Sequence, residues 1–248
     1  MDLYDAYLHC GVSKYQPMAE VVRMHDGLNI SRGLLVQHFG EYDNRYIIES
    51  AESQWPRYGV VVLLDPADGG WRAELAELSR QRVVLGLRVR VDGDNPMWPE
   101  LARAAAAENL NVVFMFTYGC AGFESDFVNV IDDCPDTSFV VTHLGGSSKH
   151  FPGAEAVVFA DRPNVYLQVS GFSMWKNLSR ADFAGPLSKL VSSYGPSRVL
   201  WGSNYPVSPM REELGYIVTN PCELDDEGCR QVLWGTAASV WGARTSSD

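Results

Sequence analysis

The sequence predicts one closed (β/α)₈ barrel, the TIM-barrel fold of the α/β class, over residues 1–248. Its length of 248 residues is close to the ~250 typical of this fold. Short apolar segments alternate eight times with helix-like segments, and most, such as VVVLL and VVFMF, are nearly continuous. Continuous apolar segments are typical of parallel strands that are covered on both faces. An open doubly wound sheet is the alternative, but the GxGxxG and GxxxxGK[ST] phosphate loops are absent from the sequence.

Each predicted strand is a short apolar segment that ends in a polar turn, and a helix-like segment follows it. The predicted strands are Leu3–His9, Gly33–His38, Gly59–Asp65, Val83–Val89, Asn111–Thr117, Ser138–His143, Asn164–Ser170 and Arg198–Ser203. The first predicted helix has proline at an early position, where its missing N–H costs nothing. The predicted helices are Pro17–Asp26, Asn44–Gln54, Trp71–Arg82, Pro99–Asn109, Phe123–Cys134, Pro152–Ala160, Ala181–Tyr194, Arg211–Val218 and a last segment, Asp225–Trp234.

Composition and charge narrow the class of partner. Apolar residues make up 46% of the chain and charged residues 21%, enough to bury a large core. Twenty Lys and Arg against 31 Asp and Glu give a net charge of −11. An acidic surface repels phosphate backbones and anionic lipids, so we expect neither nucleic acid nor a membrane as partner. The apolar segments have strand length and are too short to span a bilayer as helices.

Cysteine usage and the N-terminal residues predict a cytoplasmic protein. The five cysteines are odd in number and form no CxxC pair, which argues against a disulfide framework and a zinc ribbon. The first residues do not show a basic segment followed by an apolar one, the pattern of a secretory signal. Whether the chain forms a homo-oligomer is left open.

Polar residues at the predicted strand ends indicate a catalytic site, because the carboxyl ends of barrel strands meet at one open face. Period-two alternation places Asp5, Tyr7 and His9 on one side of the first strand. His143 ends the sixth strand, and Asn204 follows the eighth. We therefore predict that Tyr7, His9, His143 and Asn204 share a site.

Further candidates follow other strands and are predicted to bind substrate. Arg88 ends the fourth strand and is a candidate carboxylate clamp, because a guanidinium binds carboxylate in a bidentate fork; an ion pair with an acidic neighbour is the alternative. Trp175 is a candidate wall of an apolar pocket. The remaining candidates are Gln37, His38, Tyr118 and Ser170.

Eight short segments resemble one known family in order along the chain. They are Asp5–His9 (DxHxH in the family), Leu35–Gln37, Asp43–Tyr46, Arg57–Pro66, Gly86–Arg88, His143–Gly146 (HLGG), Val165–Gly171 and Trp201–Pro206 (WGSDYP in the family). The chain resembles the amidohydrolase-related (amidohydrolase 2) family of the metal-dependent hydrolase superfamily. That family includes 2-pyrone-4,6-dicarboxylate lactonases, sugar lactonases and aminocarboxymuconate semialdehyde decarboxylases. The resemblance runs almost end to end and implies the same barrel.

The departures from the family pattern bear on metal binding. Family members with a metal hold it with both histidines of HxH, a histidine that ends strand five and the aspartate of WGSD. The corresponding residues here are Tyr7, His9, Met115 or Phe116, and Asn204. Only one of these, His9, is a good metal ligand. We therefore expect no bound metal and no other cofactor.

The resemblance implies a metal-independent enzyme that acts on a small carbonyl compound, carboxylated or cyclic, with lactone hydrolysis as the first interpretation. In lactonases of the 2-pyrone type the strand-eight aspartate activates water, and Asn204 cannot accept a proton. His143 is the predicted acid/base instead, with His9 and Tyr7 as hydrogen-bond donors to an oxyanion and Asn204 as a positioner. The alternatives are a lyase or isomerase (decarboxylation, dehydration or cyclisation), a catalytically inactive ligand-binding barrel, and a thiolate mechanism at Cys10 or Cys120.

Overall fold

The computed structural model describes residues 2–219 and 222–242. Eight strands form one sheet in chain order, and each neighbouring pair is parallel. The strands are β1 (Tyr4–Leu8), β2 (Arg32–Val36), β3 (Tyr58–Val62), β4 (Val84–Val91), β5 (Asn111–Phe116), β6 (Phe139–Val141), β7 (Val165–Val169) and β8 (Val199–Trp201). All eight lie where the sequence predicts them, and the predicted (β/α)₈ barrel is confirmed.

The barrel closes between β8 and β1 just beyond the end of β8. The backbone N–H of Asn204 donates to the carbonyl of Tyr7 at 2.8 Å, and the N–H of His9 donates to the carbonyl of Tyr205 at 2.8 Å. Gly202 lies at this seam, where a Cβ atom would come within 2.6 Å of the Tyr7 Cβ. Closure thus holds Tyr7, His9 and Asn204 next to one another.

Helices cover the outside of the barrel, and the last of them packs against its amino-terminal end. They are α1 (Met18–Gly27), α2 (Arg45–Glu52), α3 (Trp71–Leu78), α4 (Trp98–Ala107), α5 (Glu124–Asp133), α6 (Arg180–Tyr194), α7 (Met210–Val218), α8 (Asp226–Arg230) and α9 (Thr236–Val240), with a π-helical turn at Gln231–Gly235. None of the helices within residues 2–219 and 222–242 has both the length and the apolar character needed to cross a bilayer.

Two helix predictions need correction. The predicted helix Pro152–Ala160 is a 3₁₀ helix at Glu155–Phe159, because Gly153 takes a positive φ of 58° and the valines at its centre disfavour the α conformation. The last predicted segment, Asp225–Trp234, continues through the π turn into α9. Residues 1, 220–221 and 243–248 of the predicted domain lie outside the described residues.

The barrel interior is filled from the amino-terminal end of the strands. Ala237, Val240 and Trp241 pack with Tyr4 and Leu85, and the Asn111 side chain donates to the carbonyl of Val240 at 2.8 Å. This end is therefore plugged, and the carboxyl ends of the strands form the open face.

A bulge in β1 overturns one orientation that the sequence predicts. The pairing of β1 with β2 shifts register between Asp5 and Leu8, so Asp5 does not share a face with Tyr7 and His9. Its carboxylate is fully buried against α1, where Oδ2 lies 3.4 Å from Nε2 of His25. Oδ1 accepts from the backbone N–H groups of Ser203 at 2.7 Å and Tyr7 at 3.3 Å. Asp5 thus supports the seam and lies outside the open cavity.

Candidate active site

A cavity of about 320 Å³ opens at the carboxyl ends of the strands, a size suited to a small ligand. It is lined by five of the predicted site residues: His9, His38, Arg88, His143 and Asn204. Tyr7 and Ser170 lie directly beneath it and contact His143. The structure therefore brings seven of the ten predicted residues into one place.

The His143 imidazole has a defined tautomer. The Ser170 hydroxyl donates to the side-chain oxygen of Gln168 at 3.0 Å, so its only proton is used. Nδ1 of His143, 2.7 Å from the Ser170 Oγ, must then carry the proton and donate it. Gln168 also accepts from the backbone N–H of His143 at 3.2 Å. Nε2 of His143 is therefore left with a free lone pair, as a general base requires.

Two of the site residues have strained backbones. His143, Leu144 and Gly145 form a run with φ of 53°, 60° and 93°, and Asn204 has φ of 55°. Non-glycine residues rarely adopt this left-handed region, and such strain concentrates at functional sites. The strained backbone therefore indicates that the ends of β6 and β8 hold functional side chains.

Burial keeps the imidazoles of His9 and His143 neutral. Burial, with a smaller contribution from the Arg88 charge, lowers the pKa of His143 to about 3. The same two causes hold the pKa of His9 well below its usual value. Both imidazoles are therefore unprotonated proton acceptors at neutral pH.

The predicted donor role of His9 does not agree with its hydrogen bonding. Nδ1 of His9 lies 2.6 Å from the carbonyl of Val36, which can only accept, so this nitrogen carries the proton. Nε2 is then an acceptor and cannot donate to an oxyanion. Tyr7 keeps the donor role: the Arg88 guanidinium lies within reach of its buried hydroxyl oxygen and can only donate, so the hydroxyl proton stays free. Burial raises the pKa of Tyr7.

We expect a pH dependence of stability from these lowered histidine pKa values. Below about pH 6.5, His9 and His143 become protonated in the unfolded chain but stay neutral in the folded protein. The contribution of these two histidines to the free energy of unfolding is therefore fully present above this pH. It is lost as the pH drops towards the folded pKa of His143, about 3. Urea unfolding midpoints at pH 7 and pH 5 measure the effect, and His143→Gln should reduce the difference. Equal pH dependence in that variant would contradict the assignment.

Asn204 is held by a loop that the sequence does not indicate. Its amide nitrogen lies 3.2 Å from Sδ of Met174, in the 3₁₀ turn Phe172–Met174. The buried carboxylate of Glu213, in α7, accepts from the backbone N–H groups of Phe172 at 3.1 Å and Ser173 at 3.0 Å. Burial raises the pKa of Glu213. Sequence reasoning missed Glu213 because it lies mid-helix, away from any strand end.

The cavity wall is strongly basic. Lys14, Arg88, Arg90 and Lys149 line it, and its lining contains no aspartate or glutamate among the described residues. Arg90 is paired with Asp92 at 2.8 Å behind the wall. Sequence reasoning missed both lysines because they lie in loops without periodic pattern. A cluster of cations in a chain of net charge −11 indicates an anionic ligand.

Three predicted residues have other contacts. Gln37 bridges its own loop, where Nε2 donates to the carbonyl of Asp43 at 2.9 Å. Trp175 donates from its indole nitrogen to the carbonyl of Ser147 at 2.8 Å and packs among phenylalanines. Tyr118 is 62% exposed beside Lys149 at the outer rim. None of the three lines the cavity.

The cysteine alternative has little support. Cys10 and Cys120 are both buried, and burial raises the pKa of each thiol to about 12. Neither lines the cavity. Only the thiolate is a good nucleophile, and neither thiol ionises near neutral pH.

The residues at the expected metal positions do not fit a metal ion. Within the described part of the chain no group of three or more His, Cys, Asp or Glu side chains could hold one. Nδ1 of His9 is hydrogen-bonded to the carbonyl of Val36, and the Asn204 amide nitrogen contacts Met174. Met115 offers only a thioether. The Arg88 guanidinium lies 3.7 Å from Sδ of Met115, where its positive charge opposes a cation.

We expect the purified protein to contain far less than one zinc ion per chain, because three of the four donors are poor ligands. Elemental analysis after expression in zinc-supplemented medium measures this. About one tightly bound ion per chain, removed only by strong chelation, would overturn the expectation.

Comparison with known proteins gives one family and several similar folds. The family profile described as amidohydrolase matches residues 8–243. A candidate 2-pyrone-4,6-dicarboxylic acid hydrolase from Pseudomonas putida has a TM-score of 0.79 at 20% identity over 98% of each chain. A candidate hydrolase of the same kind from Acinetobacter baumannii, with citric acid bound, has a TM-score of 0.73 at 16% identity, over 98% of this chain and 100% of that one.

Metal-bearing structures share the same fold. An amidohydrolase from Burkholderia multivorans with bound zinc has a TM-score of 0.76 at 17% identity, over 98% of this chain and 100% of that one. At these identities the likeness shows the fold alone. No curated protein matches the chain.

Proposed function

Because the chain belongs to the amidohydrolase family, we propose that it hydrolyses a lactone or similar cyclic ester that carries at least one carboxylate. The observation that carries the proposal is the basic cavity around a neutral imidazole. Lys14, Arg88, Arg90 and Lys149 line the cavity, and among the described residues only Arg90 of these four pairs with a carboxylate, that of Asp92. The citric acid in the Acinetobacter baumannii structure is a carboxylate ligand on the same fold.

Nε2 of His143 acts as the general base in the proposed reaction. It takes one proton from a water molecule, whose oxygen attacks the carbonyl carbon of the ring. The bond between that carbon and the ring oxygen then breaks, and the leaving oxygen takes the proton back from His143. The product is an acyclic hydroxy acid, which ionises at neutral pH. His9, whose Nε2 is also an acceptor, orients the same water, and Asn204 positions the substrate.

Substrate charge adjusts the strength of this base. In the free protein, burial and Arg88 lower the pKa of His143 to about 3. A bound carboxylate brings a negative charge into the same buried site and offsets Arg88, which raises the pKa of His143. The base is therefore strongest when an anionic substrate is present.

A panel of lactones tests the proposal. The panel pairs 2-pyrone-4,6-dicarboxylate with uncharged dihydrocoumarin, both followed by ultraviolet absorbance with and without EDTA. We expect EDTA-resistant ring opening, with the higher kcat/KM for the dicarboxylate. Release of carbon dioxide would favour the lyase alternative, and binding of the dicarboxylate without turnover would favour an inactive barrel. Either result would overturn hydrolysis.

Lys149→Gln should raise KM for a carboxylated lactone about fivefold, because an exposed charged hydrogen bond contributes roughly 1 kcal/mol. Lys149 lines the cavity with its ammonium group 5.3 Å from the Tyr118 ring centroid. Lys189→Gln on the outer helix α6 is the matched control, and its KM should equal that of the wild type. An unchanged KM in Lys149→Gln would remove this residue from substrate binding.

A further inference from the structure

Arg88 is a buried cation without a counter-ion. Its residue is 5% exposed, and it forms no ion pair with any described carboxylate, unlike Arg90 two residues later. Burial lowers its pKa, which shows that the charge is held at a cost. The alternative that Arg88 pairs with an acidic neighbour is therefore not supported. An unpaired buried charge is strongly destabilising unless a ligand compensates it.

Three contacts fix the guanidinium in one place. Nη1 donates to the carbonyl of Gln37 at 2.7 Å, and the ring of Phe39 lies 3.9 Å from Cζ. Nη2 lies 3.7 Å from Sδ of Met115. None of these partners carries a charge, so they hold the guanidinium without neutralising it.

Arg88 is also the electrostatic centre of the cavity. Its charge contributes to the pKa shifts of Tyr7, His9 and His143, the three residues that surround the proposed reaction. It contacts Met115, and its Cζ lies 5.5 Å from the ring centroid of Tyr7. Met115 and Tyr7 stand at two of the positions where metal-bearing relatives are expected to have ligands. The guanidinium therefore lies among the groups that would surround a metal ion.

Nε of Arg88 and the hydroxyl of Tyr7 have no well-aligned hydrogen bond in the described structure, although the guanidinium and the hydroxyl are close enough to interact with each other. Both can donate, and each is shielded from water. His9 cannot serve as the donor at neutral pH, because its Nε2 is an acceptor. Because a guanidinium can only donate to the Tyr7 oxygen, the Tyr7 proton remains available. That proton and the Arg88 charge together suit one acceptor of high negative charge density.

We propose that the Arg88 guanidinium supplies the positive charge that a metal ion supplies in relatives such as the zinc-bound amidohydrolase, and that it polarises the reacting carbonyl together with the Tyr7 hydroxyl. Arg88 is then the electrophilic group of the reaction, and the exposed Lys14 and Lys149 bind the substrate carboxylates. A fixed charge in a water-excluded site stabilises a developing oxyanion without reorganisation. This inference rests on the proposed lactone hydrolysis.

Metal content tests the location of the charge without any assay of activity. The variant Tyr7→His/Met115→His/Asn204→Asp restores the expected ligands. We expect it to bind less than 0.1 zinc per chain while Arg88 is present, and about one when Arg88→Ala is added. Adding Arg90→Ala instead is the matched control and should leave zinc low. Thermal unfolding checks that each variant is folded. Equal zinc with and without Arg88, whether high or low, would overturn the proposal.

Kinetics separate an electrophile from a carboxylate clamp. Arg88→Met should lower kcat at least 100-fold for both the dicarboxylate and uncharged dihydrocoumarin, with little change in KM. A clamp would instead raise KM for the dicarboxylate alone, and that result would overturn the proposal. If the wild type opens neither lactone, the proposed hydrolysis fails, while the zinc measurement still decides whether Arg88 occupies the metal position.

Discussion

His143→Ala should lower kcat by about 10²- to 10⁴-fold, the range typical for loss of a general acid/base. The structure gives His143 a tautomer with its proton on Nδ1 towards Ser170 and a free lone pair on Nε2. Burial keeps the ring neutral, since its pKa is lowered to about 3. Steady-state kinetics on a lactone that the wild type opens measure the loss.

Two controls separate chemistry from folding. His143→Gln keeps a polar side chain in the same space, so its melting temperature should stay close to that of the wild type while kcat remains low. His150→Gln removes a half-exposed imidazole that pairs with Glu155 at 3.3 Å outside the cavity, and it should retain full kcat. Wild-type turnover in His143→Ala would show that the base is another residue, with His9 the next candidate.

Gly202→Ala should produce the largest loss of stability among conservative changes near the site. A methyl group there would lie 2.6 Å from Cβ and 2.7 Å from the backbone nitrogen of Tyr7, and 2.6 Å from the side-chain nitrogen of Gln168. The backbone at Gly202 and the backbone at Tyr7 cannot move apart without opening the seam between β8 and β1. We expect the free energy of unfolding to fall by about 3 kcal/mol, the upper end for overpacking. The melting temperature should fall by about 6–12 °C, measured by calorimetry.

Gly215→Ala is the control for this substitution. Gly215 lies in α7, and a Cβ atom there meets nothing within 4 Å. Alanine in a helix interior is favoured over glycine by roughly 0.5–1 kcal/mol, so this variant should be slightly more stable than the wild type. A Gly202→Ala protein as stable as the wild type would mean that the seam is more plastic than the contacts indicate.

The strands could be predicted from the sequence because each is a buried apolar segment whose pattern does not depend on its neighbours. The bulge in β1 could not, since it arises from pairing with β2 and from the capture of the Asp5 carboxylate by backbone N–H groups of Tyr7 and Ser203. Similarly, the apolar segment around Val157 and Val158 has the length of a helix, but it follows Gly153 at a positive φ and forms a 3₁₀ helix.

The site could be predicted where chemistry follows directly from a strand end, as for His9, His143 and Asn204. Residues that reach the cavity from loops, such as Lys14 and Lys149, carry no such signal. The roles of His9 and Arg88 depended on partners that are distant in sequence: the Val36 carbonyl for His9, and the lack of a described carboxylate for Arg88.

The basic cavity also bears on how fast the protein can turn over. Ring opening converts a neutral ester into a carboxylate, so the product carries one more negative charge than the substrate. In the proposed hydrolysis the cavity cations therefore bind the product more strongly than the lactone, and we expect product release to slow turnover. Beyond about 8 Å, one screening length at physiological salt, the released anion faces a chain of net charge −11. The surrounding surface then slows its return, which favours the forward direction.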